Sequence, residues 1–302
     1  MVVLVGVAAL VAGAGLLRAG TIGVPNGSFE LPVTTFADPR IDAWQKSAKP
    51  AWYDESSGHL WDQLTGVFLN TASTNASYID NMAGDQAAFL FALPQVALFQ
   101  DYNSTDGTNA TPTHGFDAKF AVGKAYTLTV GVVGGGGNML NGVSLELSLY
   151  YRDSASNLVT VAATSITNRL DVFSNLTHFV DFSVEVPIVQ AGDAWAGRNM
   201  GVQLLSTVSP ELAGGYWDVD NVRLSETDVP ARLDGTRTHG GFEITLRSEP
   251  GLRFEILAAG DLTLPLAGWS RVGTVTNITG AIPFLDPATN VDLRFYRARQ
   301  LP

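Results

Sequence analysis

Apolar and polar residues alternate over long stretches of the first two thirds of the chain. In the run 126–132 every second residue is apolar or aromatic, and the runs 143–151 and 180–186 repeat this period of two. Such alternation predicts strands with one face buried and one face in water, as in an antiparallel sheet. Four further runs, 87–93, 158–164, 200–206 and 216–224, bring the number of named runs to seven. We expect about nine strands in all, which predicts two packed sheets.

Polar stretches separate these strands. Residues 103–114 are rich in Thr, Asn, Gly and Pro and predict a surface loop. The glycine run 134–137 predicts a flexible turn, because no helical pattern follows it with the Lys or Ser/Thr of a phosphate-binding loop. Residues 38–78 are the most irregular segment.

A break in the strand pattern at Thr227–Pro230 predicts a domain boundary. Residues 21–226 are expected to form a jelly-roll β-sandwich of the galactose-binding-like type, and residues 233–302 a small C-terminal β-domain. The predicted fold class is therefore all-β, a jelly-roll β-sandwich with a second, smaller all-β domain.

The first twenty residues differ from the rest. Residues 2–17 are uncharged and mostly apolar, and Arg18-Ala19-Gly20 follows. This stretch is short for a membrane span and resembles the core of a signal peptide, so we predict that residues 1–20 are removed and the mature chain begins near Thr21. The alternative is a buried first helix or strand. Export predicts a secreted or cell-surface protein without a membrane span in the mature chain.

Composition narrows the possible functions. The chain of 302 residues has a formal net charge of −11, which argues against nucleic acid as a partner and is compatible with neutral glycans and divalent cations. The chain has no cysteine, which excludes disulfides and thiolate chemistry. The four histidines lack metal-ligand spacing, and the sequence singles out no enzyme active site.

Three carboxylates form the most informative constellation. Strand alternation places Asp218 and Asp220 on the same face as the apolar Val222 and Leu224, which predicts that both acids point toward the core. Two such carboxylates need a compensating cation or several hydrogen-bond donors, and Ca²⁺ suits this role because it takes six to eight oxygen ligands. Glu30 is the expected third carboxylate, if the first and last strands are neighbours. The alternative is that Asp220 caps a turn and Asp218 is solvated.

The motif Asn-Gly-Ser-Phe-Glu at 26–30, paired with Asp-x-Asp-Asn-Val-Arg-Leu at 218–224, resembles the calcium-binding, carbohydrate-module-like jelly rolls. Within that group it is similar to the domain of the Stig cyclases, over about residues 22–225. The resemblance implies the jelly-roll fold and a structural calcium ion. It also implies, by motif alignment, that Asp218 could act as a catalytic acid on an apolar, indole-like ligand.

The second domain resembles a known module as well. Residues 251–256, 262–269, 284–287 and 294–298 are similar to a C-terminal β-module of exported proteins from planctomycete- and verrucomicrobium-like bacteria. The resemblance implies an accessory or cell-surface module, and no further role.

Four aromatic residues of the irregular segment, Trp44, Trp52, Tyr53 and Trp61, are candidate ligand-binding residues. Aromatic rings in loops can stack on the apolar faces of sugars. The alternative is that some of them plug an end of the sandwich, and we expect at least one buried and one exposed Trp.

These observations leave three functions open. The first is non-catalytic binding of a glycan or cell-surface polysaccharide, or adhesion. The second is a Stig-cyclase-like enzyme with Asp218 as the general acid. The third is a structural surface protein without a small ligand. A deep pocket lined by aromatic rings, with Asp218 at its base and with a raised pKa, would favour the enzyme. A shallow groove with coplanar exposed rings would favour glycan binding.

Overall fold

The computed structural model describes residues 19–105, 111–228, 231–238, 241–288 and 293–301. The predicted leader therefore lies almost entirely outside the described residues. Nearly all regular structure in the described ranges is β-strand, with three short 3-10 turns at Trp61–Gln63, Pro210–Leu212 and Leu266–Gly268. No helix within these ranges is long and apolar enough to cross a membrane.

Twelve described strands build the first domain. In chain order they are β1 (Ala19–Ile22), β2 (Ala37–Asp38), β3 (Gln45–Lys46), β4 (Thr65–Leu69), β5 (Gln86–Phe91), β6 (Ala97–Gln100), β7 (Lys124–Gly136), β8 (Ser144–Arg152), β9 (Leu158–Thr167), β10 (Val180–Val186), β11 (Gly201–Ser206) and β12 (Tyr216–Asp228).

These strands form two antiparallel sheets. The seven-stranded sheet has the order β10-β7-β12-β5-β4-β2, and β1 also pairs with β12; the five-stranded sheet has the order β3-β6-β11-β8-β9. The chain passes from one sheet to the other several times, as it does in a jelly-roll sandwich. The inner faces of both sheets share one apolar core, which includes Leu128, Val130, Leu147, Leu149 and Trp217.

The remaining strands form a smaller β-structure. They are β13 (Arg232–Thr238), β14 (Gly241–Arg247), β15 (Arg253–Ala259), β16 (Ser270–Thr276), β17 (Ala281–Asp286) and β18 (Phe295–Leu301). The orders β13-β14-β17 and β16-β15-β18 give two three-stranded sheets around a separate core, which contains Ile244, Leu246, Phe254 and Ile256. The predicted fold class is confirmed.

One bulge in β12 changes the direction of the two closing aspartates. Pairing with β7 shifts register between Asp220 and Arg223, and Asn221 adopts a φ of 52°. The extra residue inverts the alternation, so Trp217 and Val219 before the bulge point into the core, as Val222 and Leu224 do after it. The prediction that Asp218 and Asp220 share the inner face was wrong, because uninterrupted alternation was assumed. Both lie on the outer face of the seven-stranded sheet.

Candidate functional site

Asp218 lies among apolar side chains on the outer face of the seven-stranded sheet. In the sheet register Asp218 is opposite Phe89 of β5 on one side and Val133 of β7 on the other. Directly paired residues of neighbouring antiparallel strands place their side chains on the same face, within contact distance. The acid is therefore flanked by hydrocarbon on both sides.

Three rings next to Asp218 form an aromatic patch, defined by Phe89, Phe91 and Tyr216. The ring centroids of Phe89 and Phe91 are 6.0 Å apart, and those of Phe91 and Tyr216 are 5.9 Å apart. Phe91 is exposed, whereas Phe89 and Tyr216 are partly buried. The patch therefore offers aromatic surface to a molecule outside the sheet.

Two glycines let these rings lie close to the strands. A Cβ atom on Gly66 would come within 2.7 Å of the Phe89 ring, and one on Gly136 within 2.4 Å of the Tyr216 ring. Only a residue without a side chain leaves this space for a ring. The glycines thus shape the surface beside Asp218.

Beyond Asp218 the same face is covered. Ile79, Ala87, Val133 and Phe179 form a small apolar cluster, against which Phe68 and Met82 pack. Two loops meet over it, because the Asp80 N–H donates to the Thr177 carbonyl (3.1 Å) and Asn81 exchanges hydrogen bonds with the Phe179 backbone (2.8 and 2.9 Å). Asp218 therefore lies at the border between the covered cluster and the open aromatic patch.

The electrostatic setting of Asp218 is unusual for a carboxyl group. Removal from water raises its pKa to about 7. Within the described part of the chain, its carboxyl group has neither a hydrogen-bond donor nor a salt-bridge partner that would oppose this rise. An acid in such surroundings can hold its proton near neutral pH.

Glu30 and Asp220 form a separate pair of carboxylates. Asp220 is fully buried and accepts the N–H groups of Ala83 and Asn221, both at 2.6 Å. Glu30 accepts the N–H groups of Asp85 at 3.2 Å and Gln86 at 3.0 Å. Both acids thus lie against the loop that leads into β5.

The pair has the excess negative charge of a cation site but not a complete set of ligands. Burial raises the pKa of Asp220 to about 7 despite its two N–H donors, and the charge of Glu30 adds to the rise. A cation would relieve this repulsion. In the described ranges no three His, Asp or Glu side chains are grouped to hold a metal ion, so Asp218 does not join the pair.

The loop aromatics do not form a flat surface. Trp44 and Trp61 are 3% and 4% exposed, and their Nε1 atoms donate to the carbonyls of Asn26 (3.1 Å) and Ser47 (2.7 Å). Tyr53 is partly buried, and its hydroxyl donates to the His59 carbonyl at 3.3 Å. Trp52 is 51% exposed. As expected, the segment supplies both buried and exposed Trp.

The rings of Trp52, Tyr53 and Trp61 meet edge to face, with interplanar angles of 69° to 86°. Coplanar stacking on a sugar chain is therefore not available to them together. The two buried tryptophans belong to the core of the sandwich, and of the three tryptophans in this segment Trp52 alone has an exposed ring.

The residues that sequence reasoning missed are the rings of the aromatic patch. Phe89 and Phe91 alternate with the buried Ala88 and Leu90, so β5 is apolar on both faces. An apolar run on both faces of a strand indicates that the outer face is also covered or carries a site. This signal was present in the run 87–93, but the partner strands of that run were unknown.

No family model and no curated protein matches the sequence. Among solved structures, the chain is similar to a cyclase from Fischerella sp. TAU, at 20% identity and a TM-score of 0.49, over 70% of this chain and 99% of that one. It is also similar to a xylan-binding CBM22-1 domain from Paenibacillus barcinonensis, at 12% identity and a TM-score of 0.35, over 67% and 93% of the two chains. Similarity of this degree identifies neither a ligand nor an activity for this chain.

Proposed function

We propose that the first domain binds a small, mostly apolar ligand on the aromatic patch, and that the Asp218 carboxyl group acts on this ligand as a general acid. The observation that carries the proposal is the position of Asp218, which lies without a polar partner among the described residues at the edge of three aromatic rings. A lone carboxyl group in apolar surroundings is typical of a functional site.

Proton transfer is the chemistry that fits this group. With a pKa of about 7, about half of the Asp218 carboxyl groups carry a proton at neutral pH, compared with fewer than about one in a thousand at the ordinary value. The Oδ–H bond breaks as a bond from hydrogen to a ligand atom forms. The carboxylate takes a proton back when the cationic ligand loses one, so the reaction is an isomerisation that needs no second reactant.

The same role follows from the resemblance of residues 218–224 to the closing motif of the Stig cyclases. That resemblance implies an indole-like ligand for the aromatic patch. Flat aromatic ligands suit such a patch because ring pairs contribute beyond the area that they bury.

Calorimetric titration of the full chain with an indole tests the proposal. Phe91→Ala removes the exposed ring and is expected to weaken binding about tenfold. Asp218→Asn should keep binding and abolish proton exchange into an indole substrate. Phe36→Ala is the matched control, because Phe36 is 82% exposed and lies outside the aromatic patch. Equal binding by the Phe91 and Phe36 variants would contradict the proposal.

Glycan binding is the second candidate, supported by the exposed ring of Trp52 next to Tyr53. A single free ring supports weak binding of one sugar face. Titration with a panel of neutral oligosaccharides tests this candidate, and Trp52→Ala should remove any binding. Absence of binding at high ligand concentration would end it.

A structural calcium ion and export complete the proposal. Glu30 and Asp220 would hold the ion, with backbone carbonyls and water supplying the other oxygens that Ca²⁺ requires.

Export is supported by the apolar residues 2–17, and sequencing of secreted protein should give a first residue near Thr21. A cell-surface role for residues 233–302 rests on the resemblance alone.

A further inference from the structure

A polar cleft opens on the outer face of the five-stranded sheet. It has a volume of about 370 Å³, and its lining includes Asp101, Tyr102, Asn103, Arg152, Arg198 and Asn199. Ligand pockets for small molecules begin at about 300 Å³. Because the outer faces of the two sheets point away from each other, this cleft and the aromatic patch are separate sites.

One wall of the cleft is rigid. Asp101 is 5% exposed, and its Oδ2 accepts the hydroxyl of Tyr150 and the Nε–H of Arg152, both at 2.7 Å. The Tyr150 ring, 1% exposed, lies over Gly201, where a Cβ atom would collide with it. Arg152 also donates to the Ser156 carbonyl at 2.9 Å. These contacts fix the guanidinium group of Arg152 at the cleft.

The acidic groups of the cleft have used most of their capacity to accept hydrogen bonds. Asp101 takes a third donor, the Asn103 N–H, at 2.8 Å. Asp153 accepts the N–H groups of Ala155 (2.8 Å) and Asn157 (2.9 Å) and the Asn157 side chain (3.1 Å), all within its own turn. Both carboxylates therefore bind groups of the protein itself and have little capacity left for hydrogen bonds to a ligand.

Donors, in contrast, remain free. Among the described residues, the guanidinium group of Arg198 and the side-chain amides of Asn103 and Asn199 have no hydrogen-bond partner. The charge of Asp153 acts on Arg198 across the cleft, but no hydrogen bond joins the two side chains. Arg152 uses two of its three nitrogens and leaves one. A cleft with surplus N–H groups, two of them on guanidinium ions, matches an anionic oxygen ligand, and arginine binds a carboxylate through two parallel hydrogen bonds.

The ring of Tyr102 adds a flat apolar surface. His114 stacks on it with ring centroids 3.9 Å apart, and the His114 Nδ1 lies 2.7 Å from the Tyr102 carbonyl oxygen, which holds the two rings together. A ligand with a small ring or carbon chain next to its carboxylate would contact this surface.

We infer that the polar cleft binds a carboxylate group, anchored by Arg198 with the amides of Asn103 and Asn199. The group could belong to a free organic acid or to the uronic acid unit of a saccharide. The inference is independent of the function proposed for Asp218.

Titration of the full chain with malonate, glucuronate and glucose tests the inference, with the side-chain amide signals of Asn103 and Asn199 followed by NMR. Malonate and glucuronate should shift these signals, and high salt should weaken the effect. Binding of glucuronate alone assigns the site to a uronic acid, and binding of malonate alone to a free organic acid. An equal response to glucose, or no response to either acid, overturns the inference.

Arg198→Gln should weaken binding of the acids about tenfold or more, because a charge-assisted contact is lost. Arg198 is exposed, so this variant is expected to fold. Arg169→Gln is the matched control, since Arg169 is an exposed arginine paired with Asp171 at 2.6 Å outside the cleft. Asp218→Asn should bind the acids normally. Equal affinity of the Arg198 variant and the wild type overturns the inference.

Discussion

Replacing Asp218 by Asn should stabilise the protein, and increasingly so as the pH rises. The carboxyl group ionises with an ordinary pKa of 3.8 when the chain is unfolded, but with a pKa of about 7 when the chain is folded. Between these two pH values the carboxyl group is protonated in the folded chain and ionised in the unfolded chain. The contribution of Asp218 to the free energy of unfolding therefore falls as the pH rises. Above about pH 7 the whole penalty is present, and below about pH 4 it is absent. Asparagine is neutral throughout and avoids the penalty.

The size of the effect follows from the shift. A rise from 3.8 to about 7 corresponds to at most about 4 kcal/mol of unfolding free energy. Asp218 is only partly buried, and water screens part of this penalty, so a gain of about 1–2 kcal/mol is expected near pH 8. The gain should vanish near pH 4.

Urea unfolding of the wild type and the variant at several pH values, with chelator present, measures this difference. Asp181→Asn is the control, because Asp181 lies on the same face but pairs with Arg223 at 2.6 Å, so its loss should not stabilise the protein at high pH. A difference between wild type and Asp218→Asn that stays constant from acid to alkaline pH would refute the reasoning.

Three further predictions concern the fold around the site. Chelator should lower the melting temperature of the wild type by an amount set by the calcium affinity, and it should not change the melting temperature of the Asp220→Asn variant. An identical shift in both proteins would exclude the calcium proposal. Gly136→Ala should destabilise by about 1–3 kcal/mol in urea, because the new Cβ meets a tyrosine ring at 2.4 Å, whereas Gly192→Ala, which meets nothing within 4 Å, should not. Lys46→Met should lower the free energy of unfolding by about 1–3 kcal/mol, because the Lys46 ammonium group donates to three backbone carbonyls. Lys49→Met is its control, because Lys49 is exposed, and equal stability of the two variants would argue against this role of Lys46.

The alternation of residues predicted the long strands of the first domain, whereas the short strands β1 to β4 and β6 were not predicted. In β7 the residues Leu128, Val130 and Val132 point into the core, as their period of two requires. Sheet partners were not predictable in this way, because partners such as Phe89 and Asp218 are separated by 129 positions along the chain. The aromatic patch depends on that pairing.

The direction of Asp218 was decided by the bulge at Asn221. A single inserted residue exchanges the two faces of a strand, and the sequence carries no marker stronger than an Asn that tolerates positive φ. In the same way, the composition of residues 38–78 did not distinguish the buried Trp44 and Trp61 from the exposed Trp52.

The sequence by itself determined the all-β class, the positions of the long alternating strands and the closeness of two aspartates along one strand. Only the tertiary structure decided that Asp218 stands alone beside aromatic rings, whereas Asp220 meets Glu30 at a loop. The physical reason is that alternation is a local property of each strand. The environment of a carboxyl group, and therefore its charge, depends on strands and loops that are distant in the sequence.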